Sequence, residues 1–170
     1  SQKYAFVPAS RPSDLRSRIP GMTRIACLFI PLFPLAARLR AEPELAGEAV
    51  AVCEGNGSAA RVVGASRPAR KSGVRSEMSL AQARGILPSL IARGRDVSCE
   101  TSAHEALVET ATGLSPRVED AAPDIVFADY GGMQRHYEGD SRENDIGQAS
   151  NVAAEALEQP VRAGIAGNKL

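Results

Sequence analysis

The stretch Ala69-Arg70-Lys71-Ser72-Gly73-Val74-Arg75-Ser76-Glu77-Met78-Ser79-Leu80-Ala81-Gln82-Ala83, running on to Leu87-Pro88-Ser89-Leu90, concentrates several local signals in one short segment. Ser66, just ahead of it, is placed to cap a helical turn through Arg67, Pro68, Ala69, Arg70 and Lys71, which Gly73 ends. Ser79 with Gln82 forms a capping box, so a second short helix opens there and must stop before Pro88. Such short helices need strands to pack on, and the preceding sequence offers them. Arg61 to Ala65 reads as a strand ended by Ser66, and Ala49 to Cys53 as another that follows a Pro-Glu-Leu-Ala-Gly turn. Further back, Arg24 to Ile30 is a continuous apolar run, predicted to be a strand buried on both faces. A short helical stretch around Leu35 to Arg40 lies between.

The second half is written in longer elements. Ser102 with Glu105 predicts the start of a helix, along which Ala103, Ala106, Leu107, Thr110, Ala111 and Leu114 recur at helical spacing, with Glu105 and Glu109 on the polar face. Asp124 to Tyr130 reads as a strand turned by Gly131 and Gly132. Ile146, Ala149, Ala153, Ala156 and Leu157 form the stripe of a further helix, and a strand begins at Val161. This order suits an α+β fold with helices on one face of an antiparallel sheet. Residues 1–21, with three prolines and four serines, read as a loose N-terminal extension ahead of Met22. At Gly164-Ile165-Ala166-Gly167-Asn168-Lys169-Leu170 a strand has just ended and a helix is about to start, which predicts a fragment of a longer chain.

Composition narrows the classes. The chain has 170 residues, 44% apolar and 24% charged, enough for a real core and too apolar for disorder. Twenty basic residues cancel twenty acidic ones, which argues against a surface that is basic throughout. The cancellation hides segregation: residues 56–97 hold eight basic and two acidic groups, whereas 98–160 hold three basic and thirteen acidic. Cys27, Cys53 and Cys99 form no CxxC pair, so they read as reduced thiols rather than a disulfide framework or zinc cluster. With His104 and His136 as the only imidazoles, a histidine-rich metal site is excluded. The apolar run Ile25 to Ala37 is broken by Pro31 and Pro34 and falls short of the ~20 residues of a membrane span, so a cytoplasmic protein is expected.

Several stretches, in one order, resemble the catalytic core of the Y-family translesion DNA polymerases over about residues 24–170. The opening stretch is similar to the family's A-R-K-x-G-V-x-x-G-M-x-x-x-x-A followed by L-P-x-L. Pro43-Glu44-Leu45-Ala46-Gly47 before Ala49-Val50-Ala51-Val52 resembles its P-x-L-x-G-x-P-V-x-V. Phe127-Ala128-Asp129-Tyr130-Gly131-Gly132 resembles F-L-D-x-T-G, and Val161 to Leu170 resembles V-x-x-G-I-x-x-N-K-x. The resemblance implies a palm, an antiparallel sheet with helices on one face, made from residues 22–34 and 98–170. It also implies a small fingers domain inserted at 35–97, and a chain truncated before the thumb and little finger.

In that family three palm carboxylates hold two magnesium ions, hard cations that require oxygen ligands. By resemblance the family's D-x-D falls on Phe29-Ile30-Pro31 and its S-I-D-E on Ala122-Pro123-Asp124-Ile125. Phe29 and Ile125 therefore stand where two ligands are needed, and Asp124 is a single remnant ligand. The aromatic gate against a ribose 2′-hydroxyl falls on Pro34, with the preceding aromatic kept as Phe33. The triphosphate cradle falls on Gly64, Arg67, Arg70 and Lys169, so Arg67, Arg70 and Lys169 are the candidate nucleotide- or phosphate-binding residues. Guanidinium groups match phosphate bidentately, although basic side chains are also ordinary surface residues.

The losses make the nearest resemblance the catalytically inactive ImuB-like branch. What that implies is an adaptor in DNA repair, translesion synthesis and damage-induced mutagenesis, with no catalytic residues and no cofactor. Its partners would be DNA and, through regions C-terminal to this sequence, an error-prone replicative-type polymerase, the sliding clamp and a RecA-like protein. One alternative is an active Y-family polymerase, magnesium-dependent, in which Asp120 or Glu119 takes over as ligand. Four and five positions before Asp124, these lie roughly 13 to 17 Å away along an extended chain. Another is a non-catalytic α+β binding module unrelated to DNA. Asp124 also has a plain structural reading, an aspartate satisfied by nearby backbone amides.

Overall fold

Alternating burial defines the first sheet. In the computed structural model, which describes residues 25–129, 161–166 and the single positions Asn151 and Ala154, β1 (Ile25–Phe29) buries Ala26 and Leu28 and leaves Ile25, Cys27 and Phe29 half-buried. It lies between two antiparallel neighbours, β6 (Ile125–Asp129) and β7 (Arg162–Ala166), and β5 (Val118–Ala122) completes the order β5-β6-β1-β7. α1 (Phe33–Ala41) and α4 (Val97–Leu114) close one face: Leu28, Ile30 and Val126 pack with Phe33, Ala36, Ala37, Ala103, Leu107 and Ala111. Burial of each larger side chain contributes about 2 kcal/mol. The run from Arg24 to Ile30 was expected to be buried on both faces; the sheet is instead covered by helices on one face, and β1 alternates accordingly.

The second sheet has the order β3-β2-β4, with β3 (Arg61–Ala65) antiparallel and β4 (Ile91–Gly94) parallel to β2 (Val50–Glu54). β2 is buried on both faces through Cys53. On one side it meets α2 (Arg67–Lys71) and α3 (Leu80–Ile86), through Ala51, Val62, Ala69, Val74 and Ala83. On the other, Val50 and Val52 meet Leu35 of α1 and Leu45. α1 therefore serves both cores with different faces. Its approach to β3 is close: a Cβ on Gly64 would lie 3.2 Å from that of Leu35.

Several local expectations hold. The Ser66 hydroxyl caps α2 by accepting from Ala69 N–H, and it also accepts the Val50 N–H at 2.9 Å and donates to the Glu48 carbonyl at 2.8 Å. Ser79 and Gln82 form both halves of the capping box that opens α3. Three readings need correction. α1 starts at Phe33, two residues ahead of the apolar run's helical part, with Pro34 in its first turn where no N–H is required. β4 and β5 were missed, being short and, in β5, polar.

Ser102 does not open α4. Asp96 does, its carboxylate accepting the N–H groups of Ser98 and Cys99. The apolar stripe extends backward to Cys99, and Ser102 is a surface residue whose Oγ accepts from Arg40. Of the helix expected around 146–157 only Asn151 and Ala154 are described, both helical. Residues 1–21, Tyr130, Gly131, Gly132 and Lys169 lie outside the described residues. Among the described residues no helix is long and apolar enough to cross a membrane.

Candidate functional site

The face of the first sheet turned away from α1 and α4 brings the candidate palm residues together. In the antiparallel register Phe29 stands directly opposite Ile125 on one side and Arg162 on the other. Opposed residues of an antiparallel pair share a face. Asp124 sits in the β5–β6 turn just before Ile125, and its carbonyl accepts the Ile30 N–H at 3.0 Å. Burial, and then the negative charge of Asp124, push the Cys27 thiol up, so that charge is felt on the face that Cys27 shares with Phe29. The structure thus places Phe29, Asp124 and Ile125 at one end of β1 and β6, with Asp124 the acidic one of the three.

This end of the sheet is held from beneath. His104 of α4 reaches up with Nδ1 2.9 Å from the Pro123 carbonyl and Nε2 3.0 Å from Asp120 Oδ2. The imidazole therefore ties β5 and the β5–β6 turn to the helix layer. On the gate side, Leu32 adopts the left-handed region at φ 53 as it leads into α1, and its carbonyl accepts from Leu35 and Ala36. Phe33 is buried under the sheet rather than exposed on the open face.

Two magnesium ions need several oxygen ligands converging within a few ångströms, with a carboxylate bridging them. Among the described residues no three His, Cys, Asp or Glu side chains converge in that way. Phe29 and Ile125 offer no side-chain oxygen, so the described residues do not fit a two-magnesium centre. The candidate substitutes fare differently from the estimate along an extended chain, because β5 folds back on β6 and the hairpin brings them closer. Asp120 pairs with buried Val126 and bonds His104, which puts it on the helix side, away from Phe29. Glu119 pairs with Phe127, on the open face but two residues along the strand from Ile125. The reading of Asp124 as satisfied by backbone amides does not hold either: among the described residues its carboxylate takes no hydrogen bond.

The candidate phosphate residues lie on the other sheet. Arg67 and Arg70 are exposed on α2, and among the described residues neither guanidinium has a hydrogen-bonding or ion-pairing partner. Pinning of the surrounding loop leaves them available: Arg75 donates to the Arg70 carbonyl at 2.6 Å and Arg61 to the Glu77 carbonyl at 2.9 Å. Lys169 lies outside the described residues, so its distance from the pair is not defined. Sequence reasoning missed Arg162, an exposed cation beside Phe29. Its signal, the run Val161-Arg162-Ala163-Gly164, was visible, but only the β1–β7 register gives it a place.

Comparison with known proteins agrees with the fold. A family model described as the impB/mucB/samB family matches residues 28–170. The crystal structure of DinB from Sulfolobus solfataricus superposes with a TM-score of 0.70 at 21% identity, covering 86% of this chain and 42% of that one. An insertion ternary complex of Dbh DNA polymerase gives 0.72 at 21% identity, covering 86% and 43%. A Y-family polymerase chimera of Dbh and Dpo4 gives 0.72 at 22%, with the same coverage. The chain thus spans less than half the length of these structures, and what it shares with them is the α+β palm-type fold. A search of curated proteins finds no match.

Proposed function

The chain belongs to the impB/mucB/samB family, and from that premise we propose that it is the N-terminal part of an inactive, ImuB-like member that serves as an adaptor in DNA repair and translesion synthesis. One observation carries the reading: Phe29 and Ile125, at the positions where the family resemblance requires metal carboxylates, are direct cross-strand partners on the open face. An apolar pair neither coordinates magnesium nor accepts a hydrogen bond, so the palm keeps its architecture without its metal chemistry. Catalysis is then the work of another polymerase. The clamp, the RecA-like protein and that polymerase would be bound by regions that follow this sequence, in the cytoplasm.

The α2 arginines supply what this part of the chain does itself. Without carboxylates to bring in a cation, Arg67 and Arg70, with Lys169 and Arg162, would meet phosphate oxygens directly, and the DNA backbone is the polyanion that such an adaptor encounters. No magnesium is needed for that contact. Binding to primed DNA should weaken steeply with salt, remain unchanged on adding EDTA, and lose about 1.5 from the slope of log K against log salt in Arg67→Ala/Arg70→Ala. Binding that ignores salt, or no binding by the full-length protein, would favour a module unrelated to DNA.

A further inference from the structure

The chain crosses between the two sheets twice within the described residues, once through α1 and once through Gly94 to Val97, which joins β4 to α4. These crossings are fastened to each other. Arg38 of α1, only 15% exposed, donates from Nη2 to the Gly94 carbonyl at 2.8 Å and lies 3.4 Å from Asp96 Oδ2. Its Nη1 pairs with Glu42 Oε1 at 3.0 Å, while Glu42 Oε2 takes Arg93 Nε of β4 at 2.8 Å. Next to this, Arg95 grips the Glu100 carboxylate of α4 with two nitrogens, at 2.7 and 2.9 Å, and reaches Glu54 of β2 at 3.1 Å. Glu100 is itself buried, and a bidentate pair of this kind resists exchange with water.

We propose that this network is a latch that fastens the β3-β2-β4 sheet to the helix-covered sheet as one body, so that α2 and its arginines keep a single position relative to the open palm face. The device is independent of the adaptor reading and would operate in an active polymerase equally. Hydrogen bonding by Arg93 keeps the Glu42 carboxyl of the latch below its usual range, which favours its charged form. The latch is not a stability element in the ordinary sense, because Arg38 carries a cost, its buried Nε having no partner among the described residues.

Arg38→Met is the informative variant. Glu42 keeps Arg93 and Asp96 keeps the Ser98 and Cys99 amides, so no carboxylate is left unpaired, and the orphaned Nε disappears. Native-state hydrogen exchange on the full chain should show the amides of Arg95, Ser98 and Cys99 exchanging about tenfold faster, with Cys27 and Phe127 in the β1–β6 pair unchanged. Glu42→Gln, which weakens the Arg38 and Arg93 contacts together, should do the same and stands in if the methionine variant folds poorly. Exchange within about twofold of the parent at those three amides, or a uniform acceleration that includes Cys27 and Phe127, would overturn the proposal.

Discussion

Glu77 occupies the place where the family-like pattern A-R-K-x-G-V-x-x-G-M has its second glycine, and its backbone keeps the glycine geometry at φ 69. Its N–H bonds the Val62 carbonyl at 2.9 Å and its carbonyl takes Arg61, so the turn is held while the side chain stays exposed. A left-handed non-glycine residue costs roughly 1–2 kcal/mol. Glu77→Gly should therefore raise stability by about 1 kcal/mol after the added freedom of the unfolded chain, measured as a higher Tm and denaturant midpoint. An unchanged or lower Tm would mean that the carboxylate has a structural contact. Ser66 is the opposite case, a buried hydroxyl serving β2, the loop ahead of it and α2. Ser66→Ala should cost about 2 kcal/mol, because the Val50 N–H loses its acceptor inside the core.

At the level of elements, the helix α4 shows why some boundaries were legible and others not. Its stripe of Ala103, Leu107 and Ala111 was plain from spacing, and these residues do form the core. Its start was misplaced because two acceptable caps compete, and the choice of Asp96 over Ser102 depends on Cys99 and Glu100 finding partners on α1 and Arg95, contacts remote from the local pattern. β5 was illegible because an edge strand with one half-open face needs no alternation, and Val118-Glu119-Asp120-Ala121-Ala122 has none. The cap also makes a pH prediction. The Ser98 hydroxyl, and then the Cys99 N–H, lower the Asp96 carboxyl from an ordinary 3.8 to about 2. A depressed carboxyl contributes stability that is fully present above its unfolded value and is lost as pH falls through its folded one. Stability should thus decline between pH 3.8 and about 2 in the parent, and less steeply in Asp96→Asn, as measured by Tm at stepped pH. Equal slopes would remove Asp96 from the cause.

For the molecule as a whole, the sequence carried the architecture further than the site. Four motifs in order were enough to specify the palm-like α+β fold, because they mark turns and caps that any such chain must keep. Phe29, Asp124 and Ile125 could be named by placing the family's D-x-D and S-I-D-E on the sequence beside those motifs, but their convergence depends on the β1–β6 register, and Arg162 enters only through β7. The same register removes Asp120 from contention, since pairing with Val126 turns it toward His104. Charge is distributed accordingly: among the described residues Arg67 and Arg70 on α2 are exposed and without a partner, while apolar Phe29 and Ile125 face each other where the family resemblance would put carboxylates. The central claim, a palm without metal chemistry, meets its most direct test in primer extension with magnesium and all four deoxynucleoside triphosphates. The account predicts no template-directed incorporation by the full-length protein or by Asp124→Ala. Incorporation by the parent that Asp124→Ala abolishes would contradict it.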